Sequence, residues 1–392
     1  MSITAAFTLK DNGLIKTQAF IDGKWVDAND GEVFKVTNTS TGEALGTAPD
    51  LGRAETVNAI DAAERAFGTW SKTTAKNISK YCHDILLKLA QLIYANTEDL
   101  SRIITLEHGK TLSDGSYSAS FIQVIQTTSS NIRNVVIKQP VGELGAVTPS
   151  NFPAAMVTRK LGPALAAGCT VVLKPSSSTP YSALVIAELA CRAGVPDGVI
   201  NVITTKEHVD EVGRELCEKK TVEKITFTGS SQVAKQFYKQ SAETMKKVTL
   251  AGSGNAPFIV FNDADLDDAL IGCIRAGFRN SGQMCNSASR VYIQSSVYDD
   301  FVAQLVGRVS DTHGPLAHSR AVDKVEAVVK DTMKRGASVL AGDKRLNQNS
   351  SPVIALIKFE TEDEVLWLAN RLSSHGPMKD LVSRAPKTHI NL

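Results

Sequence analysis

An α/β fold built on a parallel sheet is predicted by three features of the chain. Between Val141 and Leu250, short apolar runs rich in β-branched residues alternate with amphipathic stretches at short spacing. That alternation implies right-handed βαβ crossovers. The chain has 392 residues, too many for one simple core, so two domains are expected. Its composition, 43% apolar and 21% charged, is that of an ordinary globular protein.

Taken in order, residues 20–48 read as strands and turns. FIDGKWVDA is followed by Asn29-Asp30-Gly31 and then EVFKVTNTSTGEALG, and an Asx-Gly turn between alternating stretches signals a hairpin. Amphipathic helices are predicted at about 53–68, 75–97 and 97–108. Then come strand GELGAVTP, strand 170–175, helix 180–193, strand 198–204, helix 207–218, strand 223–229, helix 230–243 and strand 246–250. A second segment starts near Gly252 with strand PFIVF, helix DLDDALIGCIRAGF and strand RVYIQ, and adds helices at 318–336 and 364–372. LNQNSSP (346–352) reads as a loop, and after Ser373 the pattern dissolves, as an irregular tail would. The division expected is 1–250 for a Rossmann-like nucleotide domain with its N-terminal hairpin and helices, 251–372 for an α/β catalytic domain, and 373–392 for the tail.

Several function classes are excluded. The 43 basic and 41 acidic residues are well mixed, which leaves no basic stripe for nucleic acid. There is no apolar run of about 18 residues or more to span a membrane. The first residues lack the apolar core of a secretory signal, and they carry Asp11 and no Arg, unlike a transit peptide. Six scattered cysteines form no CxxC pair and no zinc spacing, which suggests a reduced, cytoplasmic protein; Cys82 and Cys191 read as core. The seven histidines form no metal-ligating cluster.

Parallel sheets bind ligands at the carboxyl ends of their strands. That rule selects Lys174, Ser177 and the turn Thr228-Gly229-Ser230. There is no GxGxxG. Lys174 just past its strand suits a ribose or phosphate, Gly229 permits close backbone approach, and helix 230–243 offers free N–H groups; a surface lysine and an ordinary turn fit the same residues. Ser176, Ser177 and Ser178 offer no carboxylate to repel a 2′-phosphate, so NADP is favoured over NAD. In FRNSGQMCNSASR (278–290), Cys285 is either a packed thiol or a nucleophile.

Six stretches together resemble the aldehyde dehydrogenase family: TLEHGK (105–110), TPSNFP (148–153), GPALAAGCTVVLKP (162–175), FTGS (227–230), GNAPFIVF (254–261) and FRNSGQMC (278–285). They fall in family order across most of residues 15–310. MVTRK (156–160) and FRNSGQMC are most similar to the succinate-semialdehyde subfamily. The resemblance implies an NAD(P)-dependent oxidation of an aldehyde to an acid. Cys285 then matches the nucleophile, and Asn151, with the Cys285 N–H, matches the oxyanion donors. Ser150, Lys174, Ser176, Ser177, Gly229 and Ser230 match cofactor contacts, and serine at 177 is a pattern of NADP users. Arg159 and Arg279 match the arginines that pair with a substrate carboxylate.

Three departures set the chain apart. LAGSG (250–254) stands where the family has LELGG, so Ala251 occupies the general-base position and Ser253 replaces a glycine beside the nicotinamide. Segments are missing between Gln123 and Val136, where an oligomerisation element begins, and between Ser351 and Ile357, where E-x-F-G-P would hold a ribose. The C-terminal catalytic loop and oligomerisation strand are missing too, which removes the basis for a family-type homo-oligomer. Ser287 occupies the position of a redox partner, which excludes a disulfide with Cys285 there. The expected function is an impaired aldehyde dehydrogenase acting on succinic semialdehyde or a similar acid-bearing aldehyde. The alternatives are a non-catalytic nucleotide-binding or interaction protein, and a cysteine esterase.

Overall fold

The computed structural model of the chain describes residues 9–71, 75–108, 139–309, 316, 319–341, 353–370 and 381–383, and every structural statement concerns these. The predicted loop at 346–352 and the missing segment between Gln123 and Val136 lie outside them, as do Ser351 and Pro352 at the start of the other missing segment and most of the tail.

Strands β1 (Ala19–Ile21) and β2 (Lys24–Val26) form a hairpin, and β3 (Val33–Thr37) and β4 (Ala44–Pro49) form another. Helices α1 (Arg53–Trp70), α2 (Ala75–Ala95) and α3 (Thr97–His108) follow. Then come β5 (Glu143–Val147), α4 (Pro153–Ala166), β6 (Thr170–Lys174), α5 (Pro180–Ala193), β7 (Ile200–Val202), α6 (Val209–Glu218), β8 (Val222–Thr228), α7 (Ser231–Ser241) and β9 (Lys247–Ala251). These strands form one sheet in the order β2-β1-β7-β6-β5-β8-β9. Strands β5 to β9 are parallel, and β1 lies antiparallel on β7.

The chain walks outward from β5 to β6 and β7, then crosses back to place β8 and β9 on the other side of β5. The end of β5 is therefore the point where strand order reverses, the place where a parallel α/β sheet opens a crevice. β5 and β6 are buried at every residue, as strands covered on both faces should be. One core carries apolar residues of α2, α4 and α5, and the other those of α1, α6 and α7. Local chemistry fixes the helix ends. Pro153 and Pro180 open α4 and α5, and Gly194, at φ 96°, closes α5 in the left-handed conformation that glycine tolerates.

A second sheet has the order β12-β11-β10-β13, all parallel. Its strands are β10 (Ala256–Val260), β11 (Ala288–Gln294), β12 (Ala355–Phe359) and β13 (Leu381–Ser383). Helices α8 (Leu266–Phe278), α9 (Ser295–Arg308), α10 (Ser319–Lys334) and α11 (Glu362–Asn370) accompany them. Asp265 caps α8 by accepting from the Asp268 N–H at 3.1 Å.

Four expectations need correction. The first hairpin turns at Asp22-Gly23, with φ of 52° and 75°, the two positive φ values of the tight turn that Asp-Gly favours. Asn29–Gly31 instead links β2 to β3, which belong to different sheets. Residues 381–383 are not irregular but pair with β10. Cys191 is half-buried, packed against the core rather than within it, whereas Cys169, Cys217 and Cys273 are buried. Finally, α9 and β12 were not anticipated, although Val297, Phe301 and Leu305 recur at helical spacing in SSVYDDFVAQLVGR; ALIKF is a short run that periodicity cannot assign.

Candidate active site

Three strand ends meet at the reversal point. Val147 of β5 pairs with Lys174 of β6 on one side and with Phe227 of β8 on the other. Thr228, next along β8, pairs with Ala251 at the end of β9. The segments that leave these ends, Thr148–Asn151, Pro175–Ser178, Gly229-Ser230 and Gly252–Gly254, therefore crowd one edge of the sheet. This brings together Ser150, Asn151, Lys174, Ser176, Ser177, Gly229, Ser230 and Ala251.

Lys174 is only 6% exposed. Its Nζ donates to the Pro175 carbonyl at 3.1 Å. Burial pushes the ammonium down to about 8, while the charge of Asp50 pulls it back up. Ser176, Ser177 and Ser178 are half-buried in the adjoining loop. Across the crevice, the Gly229 N–H donates to the Ala251 carbonyl at 3.0 Å. A Cβ on Gly229 would lie 2.6 Å from Cζ of Phe227, whose ring stacks on Phe237 with centroids 5.0 Å apart. Only glycine fits against that ring, which leaves the backbone here without a side chain. Ser230 caps α7 by accepting from the Val233 N–H at 3.3 Å, so the first turn of an eleven-residue helix faces the same edge. A buried cation, a side-chain-free backbone and a helix N-terminus suit a dinucleotide.

Cys285 is exposed, in a turn between α8 and β11. Packing therefore does not explain it. The Ser287 hydroxyl donates to the Ala276 carbonyl at 3.0 Å and so anchors the far side of the turn. The near side is unusual: Asn280, Ser281 and Gly282 are all left-handed, with φ of 50°, 53° and 70°. A non-glycine residue in that region costs about 1–2 kcal/mol, and such conformations persist only where their surroundings hold them. Asn280 Nδ2 donates to the carbonyls of Asn151 and Gln283, at 3.2 and 3.3 Å. Asn151 Nδ2 donates to the same Gln283 carbonyl at 2.9 Å. The cysteine turn is thus tied to the end of β5 through Asn151, and Asn151 Oδ1 is buried without a partner among the described residues.

Ala251 is exposed at the tip of β9 and presents a methyl group to the edge. Ser231 Oγ donates to the Ser253 carbonyl at 3.0 Å. Arg159, on α4, and Arg279, just after α8, are both exposed; no described contact joins them.

Four residues at or behind the site escaped sequence reasoning. Glu107, 1% exposed, accepts from the Tyr181 N–H, the Ser182 N–H and the Ser182 hydroxyl, so it clamps the start of α5. Burial pushes its carboxyl up to about 8 against those hydrogen bonds. His108 contacts Asn280 at 3.2 Å. Lys160 donates to Thr226 Oγ1 at 2.9 Å, and burial, with Lys224 nearby, lowers it to about 8. Thr226 and Thr228 share a face of β8, so Lys160 sits one residue pair below Ala251. Glu107 and His108 lie within the TLEHGK stretch, but nothing in their spacing marks which partners they reach. Asn280 lies between two residues that drew attention for other reasons.

The sequence profile of the Aldehyde dehydrogenase family matches residues 25–352. The chain belongs to the aldehyde dehydrogenase family. It is 47% identical over 363 residues to the succinate-semialdehyde dehydrogenase [NADP(+)] GabD of Escherichia coli K12, an overlap of 86% of this chain and 74% of that protein. It is 42% identical over 410 residues to a glutarate-semialdehyde dehydrogenase of Pseudomonas putida, an overlap of 92% and 84%. The crystal structure of succinate-semialdehyde dehydrogenase from Burkholderia pseudomallei matches with a TM-score of 0.85 at 38% identity, over 93% of this chain and 84% of that one. The aldehyde dehydrogenase fold, with its parallel sheet, is the one expected above. An alignment of 410 residues that uses 92% of a 392-residue chain steps over internal gaps in that chain. No helix among the described residues is long and apolar enough to cross a membrane.

Proposed function

We propose that this aldehyde dehydrogenase oxidises an acid-bearing aldehyde, succinic semialdehyde or a close analogue, with NADP favoured over NAD, and that it releases the acid slowly. The observation that carries the reading is an exposed Cys285 whose turn is hydrogen-bonded to Asn151 at the end of β5. The semialdehyde activities of the E. coli and Pseudomonas relatives support the substrate class, and the NADP(+) of the E. coli enzyme supports the nucleotide. The working division is a nucleotide domain ending at about residue 250 and a catalytic domain from 251 onward, whose sheet takes in residues 381–383.

In this reading the Cys285 thiolate adds to the aldehyde carbon and the carbonyl π electrons move onto oxygen. One Asn151 amide hydrogen is engaged with Gln283, and the second, with the Cys285 N–H, faces the oxyanion. Donors of this kind are worth about 3–4 kcal/mol each. Lys174, Ser150, Ser176, Ser177, Gly229 and Ser230 hold the nucleotide, whose nicotinamide, when bound, takes up the hydride released by the oxidation. Arg159 and Arg279 attract the substrate's distal carboxylate. A thioester on Cys285 remains, and water must lose a proton as it attacks. The Ala251 methyl cannot accept that proton. General-base assistance contributes about 10²–10⁴ in rate, or roughly 3–5 kcal/mol, so the acyl-enzyme accumulates.

Intact mass spectrometry tests this. After mixing with succinic semialdehyde and NADP, the protein is expected to carry one succinyl group, absent from Cys285→Ala. A protein that stays unmodified while NADPH forms would contradict slow release, and one that forms neither adduct nor NADPH would contradict the activity. The esterase alternative has its own signature: acyl transfer from an activated ester in the absence of nucleotide.

A further inference from the structure

The last two residues of α3 reach in different directions. Glu107 is fixed by three hydrogen bonds from the start of α5, and its own carbonyl accepts from Thr39 Oγ1 at 2.6 Å. That end of α3 is therefore anchored. His108, buried beside it, points the other way and places Nε2 3.2 Å from Asn280 Oδ1. Asn280 Nδ2 is committed to two carbonyls, those of Asn151 and Gln283. Its Oδ1 must then be an acceptor, so His108 Nε2 carries the hydrogen.

We propose that His108 is a positioning residue for acyl transfer at Cys285, acting through Asn280. The His108 donor holds the Asn280 side-chain amide in the orientation that the two carbonyls favour. In that orientation both amide hydrogens face carbonyls; in the reverse one, oxygen would face oxygen. The selected amide straps the left-handed turn 280–282 to the Asn151 backbone. The Gln283 carbonyl, two residues before the nucleophile, then accepts from Asn280 and Asn151 together. One buried imidazole on the nucleotide side of the molecule thereby sets the relation between the sulfur and the amide that faces the oxyanion. This rests on the acyl chemistry proposed above.

Two reactions of the same sulfur separate positioning from general structural support. Acylation by p-nitrophenyl acetate passes through an oxyanion, whereas alkylation by iodoacetamide does not. His108→Leu is expected to acylate about tenfold more slowly or worse, while alkylating within about threefold of the wild type. His108→Gln keeps an N–H donor and is expected to acylate within about threefold of the wild type. Asn280→Asp keeps the acceptor and a residue tolerant of positive φ but loses both donations, so it is expected to fall as far as His108→Leu; it decides the matter should His108→Leu not fold. Equal acylation in wild type and His108→Leu overturns the proposal. So does an equal loss of acylation and alkylation, or a His108→Gln as slow as His108→Leu. A wild type that acylates yet forms no NADPH from aldehyde overturns the dehydrogenase reading alone, and a wild type that does not acylate at all overturns both.

Discussion

On the proposed reaction, Ala251 puts a methyl group where the hydrolytic water needs a base, and the consequences of that reading can be measured. Ala251→Glu adds a carboxylate at the exposed tip of β9, where the backbone already accepts from Gly229. Steady-state turnover is expected to rise by about 10²–10⁴ while nucleotide affinity stays the same; an unchanged rate in initial-velocity assays would count against a deacylation limit. Without a base, deacylation depends on hydroxide, so wild-type turnover should climb about tenfold per pH unit between about pH 7 and 8. Ala251→Glu should flatten that slope. At this scale Cys285, Asn151 and Ala251 were legible in the sequence as candidates, because each sits in a motif at fixed separation. Glu107, His108 and Asn280 were not, because their partners are 172 residues away in one case and 75 in another.

Strands and helices place these side chains, and two elements make predictions of their own. Gly229 ends β8, and Gly229→Ala would drive a methyl into the Phe227 ring, which Phe237 backs. Nucleotide affinity is expected to fall about tenfold or more in a fluorescence titration, with the overall fold retained. At the opposite end of the sheet, Glu143 opens β5 at 2% exposure, and neither of its carboxyl oxygens has a partner among the described residues. Burial, reinforced by Glu64 and Asp61, pushes its carboxyl up to about 8 against the opposing charges of Lys219 and Lys246. A folded value raised above the ordinary 4.5 means that the folded state holds a proton the unfolded state releases. The stability tied to that proton is complete below about 4.5 and disappears as pH rises through about 8, a change of a few kcal/mol. Glu143→Gln is expected to remove most of that decline in thermal melts taken from pH 5 to 9, and an identical decline in both proteins would refute the assignment. Element types were legible where apolar residues recur on one helical face, as Val212, Leu216 and Cys217 do in α6. The first hairpin turn was misplaced because two Asx-Gly pairs compete within ten residues, and only the register of β1 on β2 chooses between them.

For the whole molecule, strand order carries the function. The reversal at β5 brings four segments, separated by as much as 100 residues in sequence, to one edge of the sheet, and the cysteine turn reaches that edge through hydrogen bonds to Asn151. The alternation of strands and helices foretold a parallel sheet, but the order in which strands lie depends on long-range packing that no local pattern encodes. The joining of 381–383 to β10 was hidden for the same reason: three residues carry no periodicity. On the proposed function, the protein completes the first oxidation quickly and then waits for water. Rapid mixing of the protein with succinic semialdehyde and NADP, followed by NADPH absorbance, tests that claim most directly. The account predicts a burst of about one NADPH per chain followed by a rate slower by about 10²-fold or more. Linear NADPH production from the first turnover at a sustained fast rate, with no burst, would contradict it.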